Sequence, residues 1–230
     1  MSPTDSTSER PAGDDAAAKS GGAAASDGGV VRPYRGIPAD ARVAQRRARL
    51  LSAALEEIAA GGVAALSVRA TCTRAGLTRR YFYESFSDLD ALLVAAFDDL
   101  HREIADAIVA ALAAVQGAPF DARARAAIGA GLTIVLETPA KARLLVAAGG
   151  EHGALAARRA DAVDAFATLV ADAIATPPGP AAPASPIAAR MVTGGLIETV
   201  DAWLRGAVEL TEQELVAEAA RLASALASAG

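Results

Sequence analysis

The 230-residue chain has one cysteine, Cys72, two histidines, His101 and His152, two lysines, Lys19 and Lys141, and no asparagine. A single thiol excludes an intrachain disulfide framework. No HExxH, no CxxC and no acidic loop of calcium spacing occurs, so no metal-ligand set is in evidence. His101 and Glu103 lie two apart in a helical stretch, where such side chains diverge, so they form no metal pair. Cys72 falls at a packing position, and a buried thiol is usually inert. With no strand pattern there is no strand-borne Gly-rich phosphate loop, and no cofactor is expected. Runs free of charge and proline, such as Ala126 to Leu136, fall far short of the about 20 residues that span a bilayer. The first residues carry Asp5, Glu9, Asp14 and Asp15 without an apolar segment, unlike a secretory signal. The expectation is a soluble cytoplasmic protein that is not an enzyme.

Hydrophobic residues make up 53% of the chain and charged residues 21%, enough apolar side chains for one or two cored domains. Alanine is abundant and arginine far outnumbers lysine, a bias of GC-rich coding that says little about chemistry. The net charge of −5 hides an asymmetry. Between Arg32 and Phe86 ten arginines stand against four acids, net +6, whereas residues 1–31 carry −3 and residues 87–230 carry −8. A basic module on an acidic body suits an anionic polymer partner. A solvated cationic face with no partner has the same charge count.

The coarse reading is all-α, with about nine helices. Residues 1–31 are Ser, Thr, Gly, Ala and Asp with almost no large apolar side chain, and they read as a disordered tail. Tyr34 to Asp40, with Pro33 and Pro38, forms the entry. A first helix is expected from about Ala41 to Ala60, with Leu51, Ala54, Leu55 and Ile58 as its buried stripe, ended by Gly61-Gly62. Ser87 and Asp90 read as a capping box for a long fourth helix reaching about Val115. Gly117 and Pro119 break it. Further helices are expected at about 121–137, from Pro139 behind a Thr138 cap, and at about 153–175. After a Pro/Ala loop the eighth starts at Ser185-Pro186 and reaches Gly206. The ninth opens on a Thr211/Glu214 capping box.

Within the basic segment, Ser67 can cap a short helix, Val68 to Arg74. Ala75-Gly76-Leu77 makes a tight turn, and Thr78 can cap a third helix, Arg79 to Ser85. Two short helices around a glycine-containing turn are a helix-turn-helix. An ordinary αα corner shares that outline, and the surface chemistry of the third helix distinguishes the two. Leu66-Ser67-Val68-Arg69, Ala75-Gly76-Leu77-Thr78, Phe82-Tyr83-x-x-Phe86 and Leu92-Leu93 follow one another at spacings that resemble the TetR family of transcriptional regulators. The motif likeness covers about fifty residues. Thr71-Cys72 stands where relatives often carry Ile then Ala, so Thr71 is expected to bond back to a helical carbonyl. Leu89 replaces a common lysine, and Arg80 and Tyr81 replace small residues.

The resemblance implies a helix-turn-helix DNA-binding domain at 32–86 and a helical effector-binding and dimerisation domain at 87–230. Arg79, Arg80 and Tyr81 occupy the first turn of the third helix, the end that enters the major groove in this motif. An arginine fork matches the two acceptors of a guanine edge. Arg69 and Tyr83 match positions that reach bases and phosphate in relatives. Ser67, Thr78 and Ser85 can offer hydroxyl or backbone N–H groups to phosphates, and Arg42 and Arg46 can touch the flanking backbone. Phe82 and Phe86 belong to the module's core.

The eighth and ninth helices are the expected homodimer seam. Their stripe includes Met191, Val192, Leu196, Ile197, Val200, Trp203, Leu204, Leu215, Val216 and Leu222, with Gly194-Gly195 permitting close approach. The same stripes could pack within one subunit. The resemblance also implies a small-molecule effector in the body. Candidate pocket residues are Phe97, His101, Ile104, Ile134, Leu145, Phe166, Val170, Ile197 and Trp203, a composition suited to an apolar or amphipathic ligand and equally to a plain core. The expected function is a ligand-responsive regulator, a repressor, binding a palindromic operator in double-stranded DNA. The alternative is a helical hydrophobic-ligand carrier or protein-binding bundle, which leaves the basic module without a use.

Overall fold

A computed structural model of the chain describes residues 39–150, 153–175 and 186–228. The tail at 1–31, the entry with Pro33 and Pro38, the Pro/Ala loop and the Ser185 cap lie outside the described residues. Among those described there are nine α-helices and no strand: α1 Ala39–Gly61, α2 Val68–Ala75, α3 Arg79–Ser85, α4 Leu89–Ala114, α5 Phe120–Leu136, α6 Pro139–Ala148, α7 Gly153–Ala175, α8 Pro186–Leu204 and α9 Glu212–Ser228. A single 3₁₀ turn, Val63–Ala65, joins α1 to α2.

The amphipathic pattern of α1 buries Leu50, Leu51, Ala54 and Ile58. These side chains meet Phe82 of α3, Phe86 just past its end, and Leu92, Leu93 and Phe97 of α4 in one apolar cluster. The cluster continues through Leu100 and Ile104 to Val135, Leu144 and Leu155. Because α4 contributes to both ends, the three short helices and the body share a continuous core. A second cluster, Leu132, Val200 and Leu215, lies under α8 and α9, flanked by Trp203 and Leu204. The end of α1 is tied to α6 through Arg143, whose Nη1 donates to the carbonyl oxygens of Ile58, which also accepts from the Gly62 N–H, and of Ala59.

Local signals set most boundaries. Thr138 accepts from the Lys141 N–H with Pro139 at the first position of α6. Glu214 accepts from both the backbone and the hydroxyl of Thr211, and Thr211 accepts in return from the Glu214 N–H, closing the capping box of α9. Four local expectations fail. The cap of α4 is Asp88, which accepts from the Ala91 N–H at 2.7 Å while the Ser87 hydroxyl donates to Asp88. A carboxylate one residue along outcompetes the hydroxyl because it is the stronger acceptor. Thr78 occupies the N-cap position of α3 but makes no side-chain cap bond. Thr71, fully buried, donates to Glu57 Oε2 at 3.5 Å instead of to a carbonyl of its own helix. Finally, α8 ends at Leu204, two residues early, in a turn where Gly206 has φ 76°.

Candidate nucleic-acid interface and body cavities

The turn between α2 and α3 is made by Gly76, with φ 62° and ψ 37°. Its N–H bonds the Thr73 carbonyl at 3.2 Å, and the Leu77 N–H bonds the Cys72 carbonyl at 2.9 Å. This is a Schellman closure, which wants a residue free of a Cβ penalty at the left-handed position. Arg49 reaches across from α1 to donate to the Ala75 carbonyl. A Cβ on residue 76 would stand 3.0 Å from that guanidinium. Ser67 begins α2 by accepting from the Ala70 N–H at 3.2 Å.

Below the turn, Phe82 (fully buried) and Phe86 anchor α3 to the core, with ring centroids 5.9 Å apart. Anchoring that face leaves Arg79, Arg80, Tyr81 and Tyr83 outside. The side chain of Arg80 is 83% exposed and its Nε donates to Glu84 Oε1 at 3.0 Å. Glu84 also faces Arg46 Nη2 at 3.7 Å, and the Arg46 guanidinium lies over the Tyr81 ring at 4.6 Å. Arg42 and Arg69 are exposed, as is the Thr78 hydroxyl left free of capping. The Ser85 hydroxyl donates back to the Tyr81 carbonyl at 3.0 Å, so its proton is committed within the helix. The result is a cationic face on a helix one turn from a rigid corner. Glu84, absent from the sequence-based site, is its organising carboxylate; the i, i+4 spacing from Arg80 was the available signal.

Two apolar cavities lie in the body, of about 140 and 100 Å³, and share Ile108, Ala127, Ile128, Phe166, Leu196 and Ile197. The larger reaches Arg123, buried with its guanidinium 5.8 Å from the Phe120 ring centroid, and Thr193, whose buried hydroxyl makes no hydrogen bond. The smaller is bounded by His101, Leu145, Arg159 and Asp201. His101 Nδ1 sits 2.9 Å from the Phe97 carbonyl, with its ring tilted 47° against the Phe97 ring at 4.0 Å between centroids. Burial pushes the His101 pKa down, against the opposing pull of that carbonyl and of Asp98. Asp201 is 2% exposed. Its Oδ2 pairs with Arg205 at 2.9 Å and approaches Arg159 at 4.0 Å, while Oδ1 has no hydrogen-bond partner. Burial raises its pKa, and Arg205 and Arg159 oppose the rise.

Residues 50–96, the segment from the buried stripe of α1 to the first third of α4, match the model of the bacterial regulatory proteins of the tetR family. The match spans 47 of the 230 residues, so the likeness in sequence is to the family's N-terminal domain. Solved structures extend the likeness to the body at the level of fold. EbrR, a multidrug binding protein solved with imidazole, is 22% identical with TM-score 0.61, over 79% of this chain and 94% of that one. A TetR-like transcriptional regulator from Rhodococcus sp. RHA1 is 18% identical with TM-score 0.55, over 79% and 93%. The regulator FadR from Bacillus subtilis, solved with stearoyl-CoA, is 16% identical with TM-score 0.60, over 79% and 97%. No curated protein matches the chain in sequence.

The residues expected to form the effector pocket divide. His101, Ile104, Leu145, Phe166, Val170 and Ile197 line one cavity or the other. Phe97, Ile134 and Trp203 do not. Phe97 is buried beneath the His101 ring, and Ile134 packs on the main core. Trp203 joins the second cluster with its indole N–H donating to the Leu210 carbonyl at 2.7 Å. Thr193, Asp201 and Arg123 were missed, although a polar residue on an otherwise apolar helical face is a readable sign.

The seam residues divide as well: Val200 and Leu215 are buried within the subunit, while Met191 (60%) and Leu222 (48%) are exposed. A Cβ at Gly194 or Gly195 would meet nothing within 4 Å. No helix among the described residues is long and apolar enough to cross a membrane. Among the same residues no group of three or more His, Cys, Asp or Glu could hold a metal ion.

Proposed function

We propose that the chain represses transcription as a homodimer on a palindromic operator and is released when a small apolar or amphipathic molecule occupies the body. The observation that carries this reading is the solvent-facing first turn of α3, with Arg79, Arg80 and Tyr81 outside and Phe82 and Phe86 clamped beneath. In this assignment Arg79 and Arg80 read base edges, with Tyr81 beside them. Arg69 reaches the adjoining bases. Tyr83, Thr78 and Ser67 hold phosphates, Ser85 spending its hydroxyl proton on the Tyr81 carbonyl, and Arg42 and Arg46 follow the flanking backbone. The division of labour is 32–86 for DNA and 87–230 for effector and dimer.

One short helix reads only a few base pairs, so two heads are needed, with half-sites about 34 Å apart or a multiple of it. The exposed Met191 and Leu222, beside the open Gly194-Gly195 surface, support a two-fold seam of α8 and α9. The paired cavities support an effector site. EbrR and the Bacillus subtilis FadR, solved with imidazole and stearoyl-CoA, indicate that the fold admits ligands of very different size. Coupling is a population shift: the effector favours the conformer that does not fit DNA by the difference in its affinities for the two.

The deciding experiment selects bound sequences from a random duplex pool and measures the winner at two salt concentrations. A two-fold symmetric consensus and a steep loss with salt are expected. A hydrophobic-ligand carrier or protein-binding bundle would enrich no sequence.

A further inference from the structure

The smaller cavity presents hydrogen-bond acceptors and little else that is polar. A carbonyl can only accept, so the 2.9 Å contact with Phe97 places the His101 proton on Nδ1. In the neutral ring the other nitrogen, Nε2, then carries a lone pair. Across the same cavity stands Asp201, with one oxygen unpartnered. The neighbouring charges are already balanced. Arg159 Nη2 donates to Glu198 at 2.7 Å, and Arg205 pairs with Asp201 and lies 3.9 Å from Glu198. Two guanidinium groups thus face two carboxylates, leaving no uncommitted cation for an acidic headgroup. A hydroxyl proton, by contrast, would satisfy one of the two acceptors, Asp201 Oδ1 or His101 Nε2, and an amino group with two N–H bonds could serve both, without disturbing the pairs. The larger cavity is close in size to a void of about 150 Å³ that takes up benzene and the smaller adjoins it, and their shared wall of Ile108, Ile128, Phe166, Leu196 and Ile197 is wholly apolar.

Resting on the effector-gated reading above, we infer that the effector is a two-ring-sized apolar molecule bearing a hydroxyl or amino group. That group is seated between Asp201 and His101, and a carboxylate is disfavoured in the same place. Asp201 and His101 are the specificity-determining residues and the apolar wall supplies affinity.

The test uses the full chain without DNA and three probes of one shape: 2-naphthol, 2-methylnaphthalene and 2-naphthoate, titrated by calorimetry. The expected order is naphthol tightest, by about tenfold over methylnaphthalene, the gain of one well-made hydrogen bond in a dry site, with naphthoate weakest. His101→Phe keeps a ring against Phe97 and removes the acceptor. Asp201→Asn keeps the shape and removes the charge. The variant that removes the acceptor of the hydroxyl proton should bring naphthol toward the affinity of methylnaphthalene, neither should change methylnaphthalene, and naphthol unweakened in both overturns the inference. If Asp201→Asn does not fold, the three probes on the native chain and on His101→Phe still decide. Naphthoate binding as well as naphthol, equal binding of naphthol and methylnaphthalene, or no binding of any probe overturns the inference. Loss of the selected operator with the probe order intact would instead overturn the regulator reading and leave this one standing.

Discussion

Replacing Gly76 by alanine tests the corner on which the reading head depends. The left-handed backbone at φ 62° costs an L-residue about 1–2 kcal/mol. The new Cβ would stand 3.0 Å from Arg49 Nη2, so the guanidinium that holds the Ala75 carbonyl must give way. Losing that bond adds about 1 kcal/mol. The expected destabilisation is about 2–3 kcal/mol, a fall in melting temperature of about 4–12 °C for a domain of this size. Gly129→Ala in α5 is the control: its Cβ meets nothing, and alanine should stabilise the helix by about 0.5–1 kcal/mol. Urea denaturation gives both values, and operator affinity of Gly76→Ala should fall at least about tenfold as one base contact per head is lost. Arg49→Ala combined with Gly76→Ala should cost less than the two separately, because both act on one bond. A Gly76→Ala chain that melts within a degree of the native one and binds unchanged would refute the reasoning.

Arg80→Ala should weaken operator binding by about 1–3 kcal/mol and relax one base position per half-site, read by repeating the pool selection; weakening that is uniform across sequences would put that guanidinium on phosphate. Met191→Asp sets a carboxylate twice across a two-fold seam. The chain should then sediment as a monomer at micromolar concentration and lose at least about tenfold in operator affinity, whereas an unchanged dimer would move the seam elsewhere. Burial holds the His101 pKa below its ordinary 6.5, so the unfolded chain takes up a proton that the native one resists. The stability associated with the neutral ring is therefore complete above pH 6.5 and is lost as pH falls from there toward the lowered native value. His101→Phe should flatten that acid limb in urea titrations at pH 7.5 and 5. An identical slope would show that the ring is not desolvated.

The helix-turn-helix was legible because its determinants are local. Gly76 fixes the turn, Ser67 caps α2, and the buried Phe82 and Phe86 alternate with the exposed Arg79, Arg80, Tyr81 and Tyr83. The capping box at Thr211 and Glu214 was legible for the same reason. Thr71 was misread because its partner, Glu57, comes from another helix, and a hydroxyl with a carboxylate in reach has no need of its own backbone. Glu84 was overlooked as an organiser because its bond to Arg46 depends on how α1 crosses α3. The cavities show the same limit. Whether Trp203 faces the void or the second cluster depends on the rotation of α8 against α5 and α7, which helical periodicity leaves open. Asp201 illustrates this, since α7 with Arg159 and α5 with Leu132 and Val135 must both pack beside α8 before its surroundings become polar on one side and apolar on the other.

Cys72, the only cysteine in the sequence, is buried under α2, and desolvation pushes its thiol above the usual range. An alkylating reagent can reach that sulfur only when the reading head comes loose. The rate of labelling is then a clock for that opening, with no probe to install and no competing site to subtract. Run with and without duplex, the clock measures how much steadier the head becomes once it has something to read.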